Sequence, residues 1–205
     1  MACLFLYANM AIVTVQSEGS LSFTFSDFRD SEKDGIKFVG DAVLSNNTIL
    51  LTNSSNLNQS SGRIVYNGTM QPWSIANFST HFVFSIYSDN NHSQGDGITF
   101  FLSNEGYGYT IPQFKIKGLF GLVGDELDVL PPVFAVAFDS GQNIVGTIGH
   151  NFSNLHYLQS ATVSDLNSEK VWNAWIDYSS KTQMIDLYLS RVSQSYKCSR
   201  NHVLS

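Results

Sequence analysis

The chain has little charge, little cysteine and no cluster of basic residues, and each scarcity excludes a class of protein. Only 14% of its 205 residues are charged, well below the usual quarter, so Ser, Thr, Asn and Gln must supply most of the polar surface. The net charge of −6 and the lack of any run of Lys or Arg argue against nucleic acid or a membrane surface as partners, because both bind clustered positive charge.

Two cysteines, Cys3 and Cys198, stand near opposite ends of the chain. If the N-terminus is removed, one thiol remains and no intrachain disulfide is possible. The sequence also lacks G-x-S-x-G, C-x-x-C and phosphate-loop motifs. These absences predict a protein that is not an enzyme.

The first twenty residues, MACLFLYANMAIVTVQSEGS, are apolar from Cys3 to Val15 and end in small polar residues. That length suits the hydrophobic region of a signal peptide and is too short for a membrane-spanning helix. We predict a leader segment over residues 1–20, although it lacks the basic start of a signal peptide. A first core strand is the alternative interpretation.

Seven Asn-x-Ser/Thr triplets favour a secreted or cell-surface-associated glycoprotein, because such triplets accept N-linked glycans in secreted proteins. The triplets begin at Asn46, Asn53, Asn58, Asn67, Asn77, Asn91 and Asn151.

Most of the remaining chain is a succession of short segments rich in β-branched and aromatic residues, separated by Gly, Asn, Asp and Ser. The segment LSFTFSDF alternates apolar and polar residues with period two, and no segment keeps helical spacing for three turns. We predict one all-β antiparallel sandwich with long non-sequential connections. The other predicted strands are NTILLT, GRIVYNG, FSTHFVFSIYS, GITFFLS, VFAVAF, VWNAWIDYSS and QMIDLYLSRV.

The order of several segments resembles the legume-type (L-type) lectins, and in particular the extracellular lectin domain of plant lectin receptor kinases. These segments are LSFTFSDF, GDAVLSNNTILLTN, GRIVYN, FSTHFVFSI, GDGITFFLS, GLFGL and FAVAFDS. The resemblance covers about residues 21–190. It implies a jelly-roll sandwich with a flat back sheet, a curved front sheet and a sugar site on loops at the front sheet's edge. It also implies glycans or glycoproteins as partners and a homodimer through the back sheet.

Asp96 and Gly118 are the first candidates for sugar binding. In QGDGITFF, Asp96 stands between two glycines just before a strand, where its carboxylate could accept hydrogen bonds from vicinal hydroxyls. An ordinary Asp-Gly hairpin turn is the alternative. The resemblance implies a cis Gly95–Asp96 peptide bond, and it matches Gly118 of KGLFGL to a glycine whose amide donates to a sugar oxygen.

Asp139 and Asn143, in FAVAFDSGQN, have two interpretations from the residues alone. They are oxygen ligands for a hard cation, or they belong to a turn, since Asp, Ser, Gly and Asn are common turn residues. The resemblance makes Asp139 and Asn143 metal ligands, and Asn143 also a sugar-binding residue. In the family, a transition metal such as manganese and a calcium ion order this loop.

The rest of the family's metal-ligand pattern is missing. Ala137 stands where the family has a metal-binding glutamate, Gly141 where it has an aromatic residue, and Thr147 where it has a histidine. The loop is shorter, so a downstream aspartate is missing, and His150 is out of register. Two oxygen ligands cannot hold calcium, which takes six to eight. We therefore predict vestigial, unoccupied metal ligands at Asp139 and Asn143 and no cofactor.

The C-terminal end of the predicted domain, residues 21–205, also departs from the family. After QMIDLYLSRV the family continues with a front-sheet strand, a fourth sugar-site loop and a closing strand, whereas only residues 193–205 remain here. We predict a C-terminally incomplete domain.

Three functions remain open. The first is a carbohydrate-binding lectin with weakened or lost metal-dependent binding, and the second is a lectin-like defence, storage or protein-interaction domain that binds no sugar. The third is a jelly-roll glycoside hydrolase, for which DELDVLPP offers Glu126 and Asp128. That alternative is the weakest, because Pro131 replaces the second glutamate and retaining hydrolysis needs two carboxylates about 5 Å apart.

Overall fold

The computed structural model describes residues 2–16, 22–25, 27–29, 35–53, 60–66, 77–88, 97–102, 120, 122, 134–151, 154–191 and 201–204. All regular structure in these ranges is β, so the described part of the chain contains no helix that could span a membrane. The strands are β1 (Ala2–Gln16), β2 (Ser22–Phe25), β3 (Ile36–Gly40), β4 (Val43–Ser45), β5 (Thr48–Leu50), β6 (Gly62–Tyr66), β7 (Asn77–Ser88), β8 (Gly97–Leu102), β9 (Phe134–Asp139), β10 (Ile144–Asn151), β11 (Asn154–Thr162), β12 (Trp172–Ser179), β13 (Met184–Arg191) and β14 (Asn201–Leu204).

The strands form two large sheets and one small one, and the described pairings are antiparallel. The larger sheet has the order β14-β13-β12-β7-β1-β5-β4, with β2 also paired to β1. The four-stranded sheet has the order β11-β10-β9-β8, and β3 pairs with β6. The predicted all-β antiparallel sandwich is confirmed.

The core lies between the two large sheets and follows the period-two pattern of their strands. On β7, Phe82 and Phe84 face the four-stranded sheet, where Phe138 of β9 is fully buried. The Phe138 ring centroid lies 5.0 Å from that of Phe84 and 5.7 Å from that of Phe82. Tilted and edge-to-face aromatic contacts of this kind therefore join the sheets.

A two-residue hairpin connects β4 and β5. Ser45 pairs with Thr48, and the two residues between them, Asn46 and Asn47, have φ angles of 48° and 62°. Positive φ at both central residues defines a type I′ turn, which suits the twist of paired strands and favours Asn. The Asn47 Oδ1 also accepts a 2.7 Å hydrogen bond from the Phe28 N–H, which holds the hairpin against the chain that follows β2.

Residues 2–16 form β1, which lies between β7 and β5 in the larger sheet. Its pairing with β7 runs from Ala2↔Ser88 to Gln16↔Asn77, with a register shift between Tyr7 and Ile12. This position corresponds to the alternative interpretation of the N-terminus as a first strand. Removal of residues 1–20 as a leader stays a prediction.

Candidate functional site

The stretch DSGQN closes the hairpin between β9 and β10. Asp139 pairs with Ile144, so residues 140–143 are the four-residue loop. Asn143, the last loop residue, has a φ of 55°, a left-handed conformation that Asn tolerates better than most residues.

The Asp139 carboxylate is buried and is hydrogen-bonded by Gln142 at both oxygens. The Gln142 main-chain N–H donates to Oδ1 at 2.8 Å, and its side-chain Nε2 donates to Oδ2 at 2.9 Å. Asp139 is only 6% exposed, so these donors supply hydrogen bonds that water would otherwise make. A carboxylate that accepts both bonds stabilises the turn.

Asn143 is held by the connection between β11 and β12. Its Oδ1 accepts a 3.1 Å hydrogen bond from the Leu166 N–H, and its main-chain carbonyl accepts a 2.8 Å bond from the Val163 N–H. The Leu166 side chain is fully buried in the core, which fixes the donor. Because the oxygen accepts from an N–H, the amide orientation is determined and Nδ2 points the other way.

A second hairpin in the same protein has the same backbone form. Ser179 of β12 pairs with Met184 of β13, and Gln183, the last of the four loop residues, has a φ of 56°. In that hairpin the Thr182 N–H lies 3.5 Å from the Ser179 Oγ. The Gln142 N–H makes the equivalent contact with the Asp139 carboxylate, three residues before it. The DSGQN stretch is therefore an ordinary four-residue hairpin loop with a side-chain hydrogen bond across it.

Gly97 brings the start of β8 to this hairpin. It pairs with Asp139 across the sheet, and its φ of 128° is open to glycine alone. A Cβ at this position would lie 2.0 Å from the Phe138 carbonyl oxygen, so no side chain fits. Asp96 lies outside the described residues, as does the Gly95–Asp96 bond, so their predicted geometry and the distance from Asp96 to Asn143 stay predictions.

The outer face of the four-stranded sheet carries a second apolar cluster. It consists of Leu122, Ala135, Ala137 and Ile148, with Phe101 and Phe120 packed against it. Ala137, which stands where the family has a glutamate, is fully buried in this cluster. Gly118 lies outside the described residues, although Phe120 and Leu122 from the same GLFGL segment contact the cluster.

Thr147 does not share a face with Asp139. It pairs with Val136, whereas Ile144 pairs with Asp139, and successive residues of a strand point to opposite faces. Thr147 therefore faces the core between the sheets. His150 pairs with Leu155 in the β10–β11 ladder, and its side chain lies outside the described part of the chain.

These residues do not fit the calcium or the transition metal of the family. Both Asp139 oxygens and the Asn143 Oδ1 accept hydrogen bonds from protein N–H groups, and the buried Ala137 offers no ligand atom where the family has a glutamate. In the described ranges there is no group of three or more His, Cys, Asp and Glu side chains that could hold a metal ion.

Gln142 and Leu166 are site residues that the sequence did not indicate. Gln142 was not among the candidates, although a turn aspartate commonly accepts hydrogen bonds from main-chain N–H groups a few residues on. Leu166 is 23 residues from Asn143 and contributes only its main chain, so no side-chain pattern identifies it.

Comparison with known proteins identifies the family. Residues 20–205 match the legume lectin domain. The chain belongs to the legume lectin family. Bark agglutinin I polypeptide B of Robinia pseudoacacia is 30% identical over 186 residues, which cover 83% of this chain and 63% of that protein. A probable L-type lectin-domain containing receptor kinase, S.7, of Arabidopsis thaliana is 28% identical over 193 residues, which cover 85% of this chain and 27% of that protein.

Solved structures of legume lectins share the fold. A metal-free form of lectin I-B4 from Griffonia simplicifolia is 26% identical with a TM-score of 0.72, covering 89% of this chain and 82% of that one. Arcelin-5, a lectin-like defence protein of Phaseolus vulgaris, is 18% identical with a TM-score of 0.62, covering 83% of this chain and 76% of that one. The predicted resemblance and the jelly-roll fold are confirmed. The chain spans less than two thirds of the curated relatives named above.

Proposed function

We propose that this legume lectin domain binds carbohydrate at the edge where β8 begins and the β9–β10 hairpin turns. The observation that carries the proposal is the pairing of Asp139 with both Gly97 and Ile144. These two partners flank Asp139 and are bonded to Asp96 and Asn143, respectively. Neighbouring strands lie about 4.8 Å apart, so this pairing favours convergence of the two side chains on one ligand.

The orientation of the Asn143 amide supports the same site. Its Oδ1 accepts a hydrogen bond from the Leu166 N–H, so Nδ2 is the end of the amide that would donate to a sugar hydroxyl. Asp96 would accept hydrogen bonds from two vicinal hydroxyls, and the amide of Gly118 would donate to a third oxygen.

Affinity for simple sugars is expected to be low. Gly141 is exposed and offers no ring to stack on the apolar face of a sugar. We further propose that the domain needs neither calcium nor manganese, because Asp139 and Asn143 are bound by protein donors. The metal-free form of the Griffonia lectin superposes on this chain, which supports the same fold without ions.

A second candidate is a lectin-like domain that acts through protein contacts and binds no sugar. The use of Asp139 and Asn143 as turn and loop anchors favours it, because both residues have structural roles without any ligand. Arcelin-5, described as a lectin-like defence protein, has the same fold. Neither candidate needs catalysis, and the hydrolase candidates Glu126 and Asp128 lie outside the described residues.

Secretion and self-association are part of the proposal. Asn46 is exposed at the tip of the β4–β5 hairpin, so its side chain is open to glycosylation. Homodimerisation would use the outer face of the larger sheet, the back sheet of the family. Glycans or glycoproteins are the proposed partners.

A glycan array probed with the full chain and with Asp96→Ala and Asn143→Ala tests the two candidates. Binding that both variants abolish, with signals unchanged by EDTA, supports the proposed sugar site. An array without signal from the folded full chain, at the highest concentration it tolerates, favours the non-sugar-binding candidate. Leu158→Ala, at a side chain that is 64% exposed on β11, is the control for general effects of substitution.

A further inference from the structure

We propose that four residues form a hydrogen-bond latch that replaces the metal ions of the family and positions Asn143 without them. The latch consists of Asp139, Gln142, Asn143 and Leu166. Gln142 is its positioning residue, since it would contact no sugar and acts through Asp139 and the loop. The effect of the latch on sugar binding rests on the proposed function, whereas the latch itself can be tested without any sugar.

The donors of the latch match the acceptors that a cation would otherwise satisfy. Gln142 supplies two N–H donors to the two oxygens of Asp139, at 2.8 and 2.9 Å, and the Leu166 amide supplies one to the Asn143 Oδ1, at 3.1 Å. Hydrogen bonds to an ionised carboxylate are roughly twice as strong as those between neutral groups. The acceptors are therefore satisfied within the chain.

The geometry of the latch orders both ends of the loop. The Gln142 bonds close the turn within the hairpin, and the Asn143 bonds tie it to the β11–β12 connection. The Val163 N–H adds a main-chain bond to the Asn143 carbonyl. Because Leu166 is fully buried, the connection cannot move without opening the core. Both the side-chain oxygen and the main-chain carbonyl of Asn143 are therefore held by the β11–β12 connection.

The role of Gln142 depends on its being a donor at a facing carboxylate. A glutamate in its place would have the same size but would set a second carboxylate against Asp139 in place of the Nε2 donor. Substitution Gln142→Glu should therefore open the turn and speed exchange of the residue 142 amide. A role based on packing alone predicts that this substitution of equal size leaves the turn closed.

Amide hydrogen exchange of the full chain, followed residue by residue, tests the latch directly. In wild-type protein with EDTA we expect protected amides at Gln142 and Leu166, and no change when millimolar calcium and manganese are added. Rapid exchange in EDTA, followed by protection on adding metal, would overturn the proposal. This measurement needs no variant, so it stands even if a variant fails to fold.

Variants then assign the roles. Gln142→Ala removes the Nε2 donor to the Asp139 carboxylate and should accelerate exchange of the residue 142 amide by about tenfold to hundredfold, the effect of losing one hydrogen bond to a charged group. Asn143→Ala removes a neutral acceptor and should accelerate exchange of the Leu166 amide by about two- to tenfold. Ser179→Ala, in the matching hairpin, is the control and should change neither amide. Unchanged exchange in both latch variants would contradict the proposal.

Sugar binding is measured separately so that the two proposals fail in different ways. With a glycan that the array identifies, Gln142→Glu should bind more weakly than wild-type protein, because the loop that carries Asn143 is no longer closed. An array without signal would remove the sugar site but leave the exchange results for the latch unchanged. Metal-induced protection would remove the latch whatever the array shows.

Discussion

Phe138 and Phe84 meet across the two sheets, with ring centroids 5.0 Å apart and both side chains fully buried. Phe138 directly precedes Asp139 in the chain. The contact between Phe138 and Phe84 therefore also holds in place the end of β9 that carries Asp139. Stability and site geometry are therefore coupled through β9.

Substitution Phe138→Ala should lower the free energy of unfolding by about 3–5 kcal/mol, the usual cost of removing a buried ring and leaving a cavity. Urea denaturation followed by tryptophan fluorescence measures the change. Leu158→Ala is the matched control, because the Leu158 side chain is 64% exposed, and its effect should stay within about 0.5 kcal/mol. Equal midpoints for both variants would mean that Phe138 does not support the core.

Substitution Gly97→Ala should destabilise the edge where β8 meets β9. An alanine Cβ would lie 2.0 Å from the Phe138 oxygen, and the φ of 128° is unfavourable for any L side chain. Strain of this kind costs about 1–3 kcal/mol before the clash is counted. We expect a lower urea midpoint and faster amide exchange at Asp139.

Gly141→Ala is the control for that substitution, because Gly141 is exposed in the hairpin loop and its φ is not positive. If the Gly97→Ala and Gly141→Ala proteins had the same urea midpoint, β8 would not approach β9 as closely as it does in the structure.

Much of the fold could be predicted because its strands carry their own pattern. The alternation of phenylalanines on β7 and the apolar run of β9 identify both strands without further information. β10 was missed, since Gly146 and Gly149 lower its β propensity, and only pairing on both sides makes it a strand. Tertiary pairing, and not local sequence preference, therefore makes β10 a strand.

The candidate site was predictable only in part, for a similar reason. Asp139 and Asn143 are marked by local turn chemistry, and the sequence left open whether they form a turn or bind an ion. The answer depends on Leu166, whose amide comes from a distant connection, and on the face that Thr147 takes. Long-range main-chain contacts of this kind leave no pattern in the sequence.

The ion pairs of Asp165 should give the stability a small dependence on acidic pH. Its carboxylate lies 3.1 Å from the Lys170 Nζ and 2.8 Å from an Arg191 nitrogen. Hydrogen bonding and attraction from Lys170, with a further part from Arg191, hold the pKa of Asp165 below its ordinary value of 3.8. The contribution is therefore complete above that value and is lost as pH falls through the lower folded pKa.

Asp165→Asn should accordingly lower the unfolding temperature slightly at pH 6, with a difference from wild type that shrinks below pH 4. Asn accepts the φ of 63° at this position, so the substitution adds no backbone strain. The effect should be small, because the carboxylate is exposed and screened by solvent, and 0.5 M salt should reduce it further. A difference that grows as the pH falls would contradict the sign of the pKa shift.

The first twenty residues provide the last prediction, because the two interpretations of them have opposite consequences. β1 pairs with β7 from Ala2 to Gln16, so a chain that begins at residue 21 would leave one side of β7 without a strand. An unpaired inner strand exposes main-chain donors and acceptors and promotes edge-to-edge aggregation. We expect the 21–205 protein to unfold at a lower urea concentration than the full chain and to aggregate more readily.

Determination of the N-terminus of the protein secreted from a eukaryotic host completes the comparison. A secreted product that begins at residue 21 and matches the full chain in stability would establish residues 1–20 as a leader. A secreted product that keeps residues 1–20, together with a higher urea midpoint for the full chain than for the 21–205 protein, would establish them as a strand of the domain.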